Sequence, residues 1–387
     1  MEALKHAPLP PEALPPSVAS LVAGATPAKL LVVRGLAPMR PMDLLIGVYQ
    51  LAFDADATVK SLAEAAPANL PERVMLGALG EPLPAPVLHF FAERLPQARR
   101  SVIEKILYNH AASDESFVEL ARRLDENALE IIFQNEVRLL RCPALVETLY
   151  YNKKARMSSV SRALELCVRN GVRLESIPGY DEFATALLAD PNAVKPSAPD
   201  EAFAAALAQP SAGEAAPGSD AAWTDTEEET DLFDEDAAGE GQEANKGVVG
   251  TAFIDFDELK VFEKLRLATV GNQYCRQVLI RDTNKVVALA VVRSPSITDM
   301  EIVAAASNRA VCDDVIRHIA NSRVHIKDYA VKQALVNNPK CPLGTSLRLL
   351  SFLHTADLKA LSRSKNIPGA LSTAAKKLLQ TRERPGG

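Results

Sequence analysis

The 387-residue sequence predicts an all-α protein: two α-solenoid modules, over residues 17–189 and 251–381, joined by an acidic disordered linker over 190–250. Three observations carry this expectation. A helical pattern ending in asparagine recurs on both sides of the linker. Asn135 and Asn152 stand seventeen residues apart in the first copy, and Asn321 and Asn338 seventeen apart in the second. With one residue inserted, Asp114 and Ala121 fall opposite Asp299 and Ala306; Leu149 and Lys154 fall opposite Leu335 and Lys340. Equal spacing of helix ends implies stacked helices of similar length, as in repeat architectures. The composition agrees: 48% of residues are apolar but only 5% aromatic, which favours helix-on-helix packing over strands. Finally, apolar residues recur at three- and four-residue spacing, with no convincing period-two run.

The elements follow in order. Residues 1–16 are Pro-rich and are expected to form a disordered tail. Pro41 opens a helix that buries Leu44, Leu45, Val48 and Leu51. Pro71 starts another, packing Val74, Leu76 and Leu79 and ending at Gly80. Val102, Ile103, Ile106 and Leu107 form a further stripe before Asn109, and Asp114 caps a helix burying Phe117, Leu120, Ala121 and Leu124. A last helix around Asp200–Ala208 interrupts the linker. Beyond it, helices bury Leu259, Phe262, Leu265 and Leu267, and Thr298 with Glu301 forms a capping box. Pro342 and Pro368 sit where later helices start, and residues 382–387 form a tail. Asparagines at helix ends have two readings. They close helices, since Asn tolerates the left-handed conformation, or they form a ladder that pairs with an extended peptide.

Charge divides the chain. Residues 190–250 hold fifteen acidic residues and two lysines; residues 251–387 hold 21 Lys and Arg against 12 Asp and Glu. A basic C-terminal module thus follows an acidic, small-residue segment that cannot bury enough apolar surface to order itself. Five widely spaced cysteines, Cys142, Cys167, Cys275, Cys312 and Cys341, have no CxxC pattern and read as buried reduced thiols of a cytosolic protein. No N-terminal apolar core suggests a signal peptide, and the run Leu44–Phe53 is about half of the roughly 20 residues needed to span a bilayer. A soluble cytoplasmic protein is expected.

The helical-pair periodicity resembles the HEAT, armadillo and leucine-rich-repeat-variant class of α-solenoids. The stretch from Gly271 to Ile302, with the Asn337–Pro342 turn, also resembles uncharacterised helical-repeat proteins of myxobacteria and related bacteria. The resemblance implies a helical repeat fold, and it implies no activity.

No catalytic pattern stands out. There is no HExxH, GxSxG, GxxxxGK[ST] or dinucleotide-binding turn, so no catalytic residue, cofactor or metal ligand is expected. Asp314, His318 and His325 read as a helix surface rather than a metal site. A non-enzymatic scaffold or adaptor that binds a protein partner is the best reading. Candidate contacts are the basic Arg309, Arg317, Arg323, Lys327, Lys332 and Lys340, with Arg348 beyond them, and the linker anchors Trp223, Leu232 and Phe233. The linker at −13 could fold back onto the +9 module and regulate it. The alternative is a nucleic-acid-binding module in which the linker mimics phosphate.

Overall fold

A computed structural model of the chain describes residues 6–189, 198–207, 254–364 and 367–383. Among these residues the structure is all-helical, with no strand. They divide into two compact units. One holds the described residues of Met1–Ile177 and Leu187–Lys195; the other holds those of Pro178–Ala186 and Pro196–Gly387.

The first unit opens with a 3-10 turn, η1 (Pro11–Ala13), and helices α1 (Pro16–Val22), α2 (Thr26–Val33), α3 (Pro41–Leu51) and α4 (Ala57–Asn69). Then come α5 (Glu72–Leu79), α6 (Ala85–Arg94), α7 (Arg100–Leu107) and α8 (Asp114–Ala121). It closes with α9 (Glu126–Phe133), α10 (Glu136–Arg141), α11 (Pro143–Tyr151) and α12 (Met157–Arg169). Most helices pack on the next but one. The series α1, α3, α5, α7 and α9 makes one row of contacts, and α2, α4, α6, α8 and α11 the other. Proline at the first helical turn starts α3 and α11, since its missing N–H is unpaired there anyway.

Helix α13 (Tyr180–Ala189) runs across the division of the chain. The second unit continues with α14 (Asp200–Leu207), α15 (Val261–Val270), α16 (Gln273–Leu279), α17 (Lys285–Val292), α18 (Asp299–Ser307) and α19 (Asp313–Asn321). A second 3-10 turn, η2 (His325–Lys327), precedes α20 (Tyr329–Asn337), α21 (Leu343–Leu350), α22 (Thr355–Arg363) and α23 (Gly369–Glu383). Helix α15 packs on α17, α17 on α19, α18 on α20 and α21 on α23.

A polar contact recurs along both rows. Helices end with carbonyls that have no partner in their own helix. Here a donor at or just beyond the end of one helix reaches back to the end of the preceding helix in its row. Past α7, Asn109 donates to the carbonyls of Leu79 (2.8 Å) and Glu81 (3.0 Å) at the end of α5. Past α6, Arg99 reaches Leu70 (2.6 Å) and Ala68 (2.5 Å) at the end of α4. Past α8, Arg123 reaches Leu95 and Ala92 at the end of α6. Past α11, Asn152 reaches Ala121 (2.7 Å) at the end of α8. In the second unit Ser294 serves α15 through Thr269 (2.6 Å). Asn338 serves α18 through Ala306 (2.8 Å) and Asn308 (3.2 Å). Arg382 serves α21 through Ser351 and Leu353, both at 2.7 Å.

The two copies of the repeat match here. Asp114 and Asp299 are the first residues of α8 and α18. Ala121 and Ala306 supply the capped carbonyls, and the bonds to them span 31 and 32 residues, preserving the inserted position. The earlier asparagines do not match. Asn135 caps the start of α10 by accepting from the Arg138 amide (3.1 Å), whereas Asn321 is the exposed last residue of α19.

Several expectations need correction. Asp114 is the first helical residue, and Ser113 is the cap, accepting from the Ser116 amide. In α5 the buried stripe is Met75, Ala78 and Leu79, at i, i+3 and i+4; Val74 and Leu76 flank it and are half-buried. Residues 6–15 were expected to lack structure, yet they lie along the first unit. Tyr49 donates to the Ala7 carbonyl (2.7 Å), the Leu9 amide donates to Gln50 (3.0 Å), and the Leu9 side chain is buried. Prolines at 8, 10 and 11 reduce the entropy lost by fixing this extended segment. Helix α14 forms where expected, but it belongs with the second unit: the Ala206 carbonyl accepts from the Asn272 amide (3.1 Å) and the Cys275 thiol (3.5 Å). The second unit therefore starts well before residue 251. The rest of the linker lies outside the described residues.

A buried ion pair locks α16 to α18. Arg276 meets Glu301 through Nε–Oε1 (2.9 Å) and Nη2–Oε2 (3.2 Å), and its Nη1 donates to the Gly271 carbonyl (2.8 Å). Glu301 also completes the capping box, accepting from the amide (2.8 Å) and hydroxyl (2.9 Å) of Thr298. Glu301→Ala strands a buried guanidinium, so it is expected to destabilise the second unit by about 3–5 kcal/mol. Asp314→Ala, which breaks only the exposed 3.5 Å pair with Arg317, should change stability by less than about 1 kcal/mol. Urea-dependent labelling of Cys275, a buried thiol on α16, reads both.

Candidate protein-docking surface

The basic residues singled out in the sequence do not form one continuous stripe. Arg309, Arg323 and Lys327 are exposed and make no ion pair among the described residues. Arg317 turns to Asp314 on its own helix. Lys340 is half-buried, and its Nζ donates to the Val311 carbonyl (2.8 Å), so this ammonium is committed to holding a loop. Arg348 is exposed on α21. Trp223, Leu232 and Phe233 lie outside the described residues.

One of the basic residues, Lys332, lies over an exposed aromatic ring, Phe352. Lys332 on α20 donates to the Lys327 carbonyl (3.2 Å), and its Nζ lies 5.7 Å from the centroid of Phe352. Phe352 is 61% exposed. An exposed cation over a ring contributes about 0.5–1 kcal/mol, too little to explain leaving a phenyl group in water.

The backbone around Phe352 is held on both sides. Arg382 binds the carbonyls of Ser351 and Leu353, and the His354 amide donates to the Tyr329 hydroxyl (2.9 Å). The Tyr329 and His354 rings stack with centroids 4.3 Å apart. Asp357 on α22 accepts from the Tyr329 hydroxyl and from Gln333 (3.0 Å), tying α20 to α22. Burial and the hydrogen bond to Asp357 push the Tyr329 hydroxyl pKa up, so it stays a donor at neutral pH. The turn thus presents a preorganised aromatic side chain beside a lysine, the arrangement expected of a binding anchor. Leu343 and Leu347, four apart on α21, add exposed apolar area.

Phe352 had a signal in the sequence. Ser346, Leu349, Leu350 and Leu353 make the inward stripe of α21 and its exit, at i, i+3, i+4 and i+7. Phe352 falls off that stripe, and a large aromatic residue off the buried stripe is a surface candidate.

The asparagine ladder is not a peptide-binding surface. Asn152 and Asn338 are only 8% and 3% exposed, and their amides point into the interior. Nor do they close helices in the left-handed conformation: their φ values are −75° and −87° with extended ψ. Asp314, His318 and His325 do not gather as ligands either. Burial, with Arg293 and His325 nearby, holds the His318 imidazole below its usual pKa.

The first unit has a shallow depression between α10 and α12, lined by Phe133, Leu139, Ala163 and Leu166 with Arg162 and Arg169 at its edge. All five cysteines are free thiols; Cys312 alone is half-buried rather than buried. Burial raises the thiol pKa of Cys142 and Cys341, and pushes those of Cys167 and Cys275 up to about 11. At pH 8 the native protein should therefore react quickly with a thiol reagent at Cys312 and slowly at the other four. Mass spectrometry of the labelled chain tests this; fast labelling of Cys167 or Cys275 would contradict it.

No protein-family model matches the chain, and no match is found among curated proteins or solved structures. No helix among the described residues is long and apolar enough to cross a membrane.

Proposed function

We propose that this chain is a non-enzymatic scaffold or adaptor: two α-solenoid modules of the HEAT and armadillo kind, bridged by an acidic linker, that bind a protein partner. The single observation that supports it best is the exposed Phe352, its backbone held on both sides, beside Lys332. The next-but-one packing of helices in each unit supports the solenoid reading, because a row that buries its core against successive neighbours leaves an extended outer surface for ligands. A cytoplasmic setting accords with five free thiols.

The partner recognised by such a surface carries an acidic segment with one or two apolar anchors. Acid steers it to the lysines, and the anchor packs on Phe352. The linker itself has this composition: Trp223, Leu232 and Phe233 are set among acidic residues. We therefore read it as an internal competitor for the second unit. The nucleic-acid alternative lacks stacked aromatics and lysine or arginine runs, and no contact in the second unit favours it.

The test is affinity capture from lysate with the intact chain, with residues 224–236 deleted, and with Phe352→Ala, each with and without nuclease. A protein partner that survives nuclease, increases on deletion and falls at least ~10-fold with Phe352→Ala supports the reading. Unchanged capture on deletion removes autoregulation. Recovery of nucleic acid alone, lost on nuclease treatment, replaces the scaffold with the nucleic-acid binder.

A further inference from the structure

Away from the docking surface, one group of metal-ligating side chains is assembled in the first unit. His6 lies on the N-terminal segment, while His89 and Glu93 stand one turn apart on α6. Their ligand atoms all lie within 4.8 Å of one another. His6 Nε2 is 2.8 Å from Glu93 Oε2, and His89 Nε2 is 3.2 Å from Glu93 Oε1. The two imidazoles stack with centroids 5.2 Å apart. In a tetrahedral zinc site with bonds of about 2.0–2.1 Å, donor atoms stand about 3.4 Å apart. The His89–Glu93 separation of 3.2 Å is close to that edge, and the His6–Glu93 separation of 2.8 Å is about 0.6 Å shorter.

A metal ion binds an imidazole nitrogen that carries no proton and a carboxylate that is ionised, so an ion here would take the place of the His6 and His89 contacts with Glu93.

The surroundings orient the ligands. His89 Nδ1 is 3.2 Å from the hydroxyl of Ser116, a fully buried residue; such outer contacts fix the ring of a metal-binding histidine. His6 Nδ1 is buried with no hydrogen-bond partner in the structure. Its ring is placed instead by Glu93, by the stack on His89 and by edge contacts with Tyr49 and Phe90. Arg94 also binds Glu93 Oε2 (2.7 Å) while lying over Phe90, 4.2 Å from its centroid. A carboxylate oxygen has two lone pairs, so Arg94 can keep one while a cation takes the other.

The geometry points to a divalent-cation site, zinc by preference, in which His6, His89 and Glu93 are the ligands and a fourth position is open to water. The two nitrogens and one carboxylate oxygen form a donor set that zinc accepts readily and that magnesium and calcium do not favour. The bound ion fastens the N-terminal segment to α6, replacing a hydrogen bond that spans 87 residues of sequence with metal–ligand bonds. That separation is why no spacing motif announces the site.

The test uses the tag-free full-length chain, stripped with chelator and titrated with Zn²⁺ by calorimetry, and with Co²⁺ by visible absorption. One ion per chain is expected, with tetrahedral Co²⁺ bands and a rise in the melting temperature. His6→Ala, which changes a side chain outside the helices, should abolish binding, and Glu93→Gln should do the same. Ser116→Ala should weaken it about 10–100-fold. His110→Gln, at an exposed position, should bind as the wild type does. Absence of stoichiometric binding, or binding that survives His6→Ala or vanishes in His110→Gln, overturns the site.

Discussion

The structure depends on how helix ends are satisfied. Short helices packed in rows leave many C-terminal carbonyls unpaired, and burying such groups unpaired costs about 1–3 kcal/mol each. At several steps this chain answers with one polar side chain, placed at or just after the end of a helix and aimed at the end of the earlier helix in the same row. Asn109, Asn152 and Asn338 use a neutral amide; Arg99, Arg123 and Arg382 use a guanidinium with two donors. A guanidinium adds a favourable interaction with the negative end of the helix dipole. The bond sets the axial offset between neighbours, which apolar packing alone leaves loose.

The same device divides labour among the polar residues. Side chains that cap are turned inward and are unavailable to partners. Asn338 and Lys340, neighbours on one turn, donate to carbonyls at the end of α18 and in the loop after it. What remains for recognition are residues outside the capping scheme, such as Lys332 and Phe352. Arg382 links the two roles: in capping α21 it fixes the turn that displays Phe352. A contact that caps a helix thus also holds the turn at the proposed docking surface.

Much of the fold was legible in the sequence because helix starts are local. Pro41, Thr298 with Glu301, and Pro342 mark starts that the structure bears out within a residue. The recurrence of Asp114 and Ala121 as Asp299 and Ala306 was legible too, since it reflects matching helix ends. The purpose of the asparagines was not. Their acceptors lie about thirty residues upstream, so the sequence suggested local closure where the structure has a bond between helices. The N-terminal segment was misread for a similar reason. Its prolines suggested disorder, but its partners, Tyr49, Gln50 and Glu93, are far along the chain. Phe352 was missed because only the turn's tertiary bonds show that it is held in place.

The most direct test compares buried asparagines whose amides cap another helix with exposed ones whose amides bond within their own. Asn152 and Asn338 bind carbonyls of another helix end, whereas Asn170 and Asn337 bind carbonyls of their own helix, Leu166 (2.8 Å) and Gln333 (2.9 Å), and are exposed. Each is replaced by alanine and the unfolding free energy is measured in urea. Losses of about 1–3 kcal/mol at Asn152 and Asn338, with changes within about 0.5 kcal/mol at Asn170 and Asn337, are predicted. Equal losses at all four positions would contradict the claim that capping between helices holds the rows together.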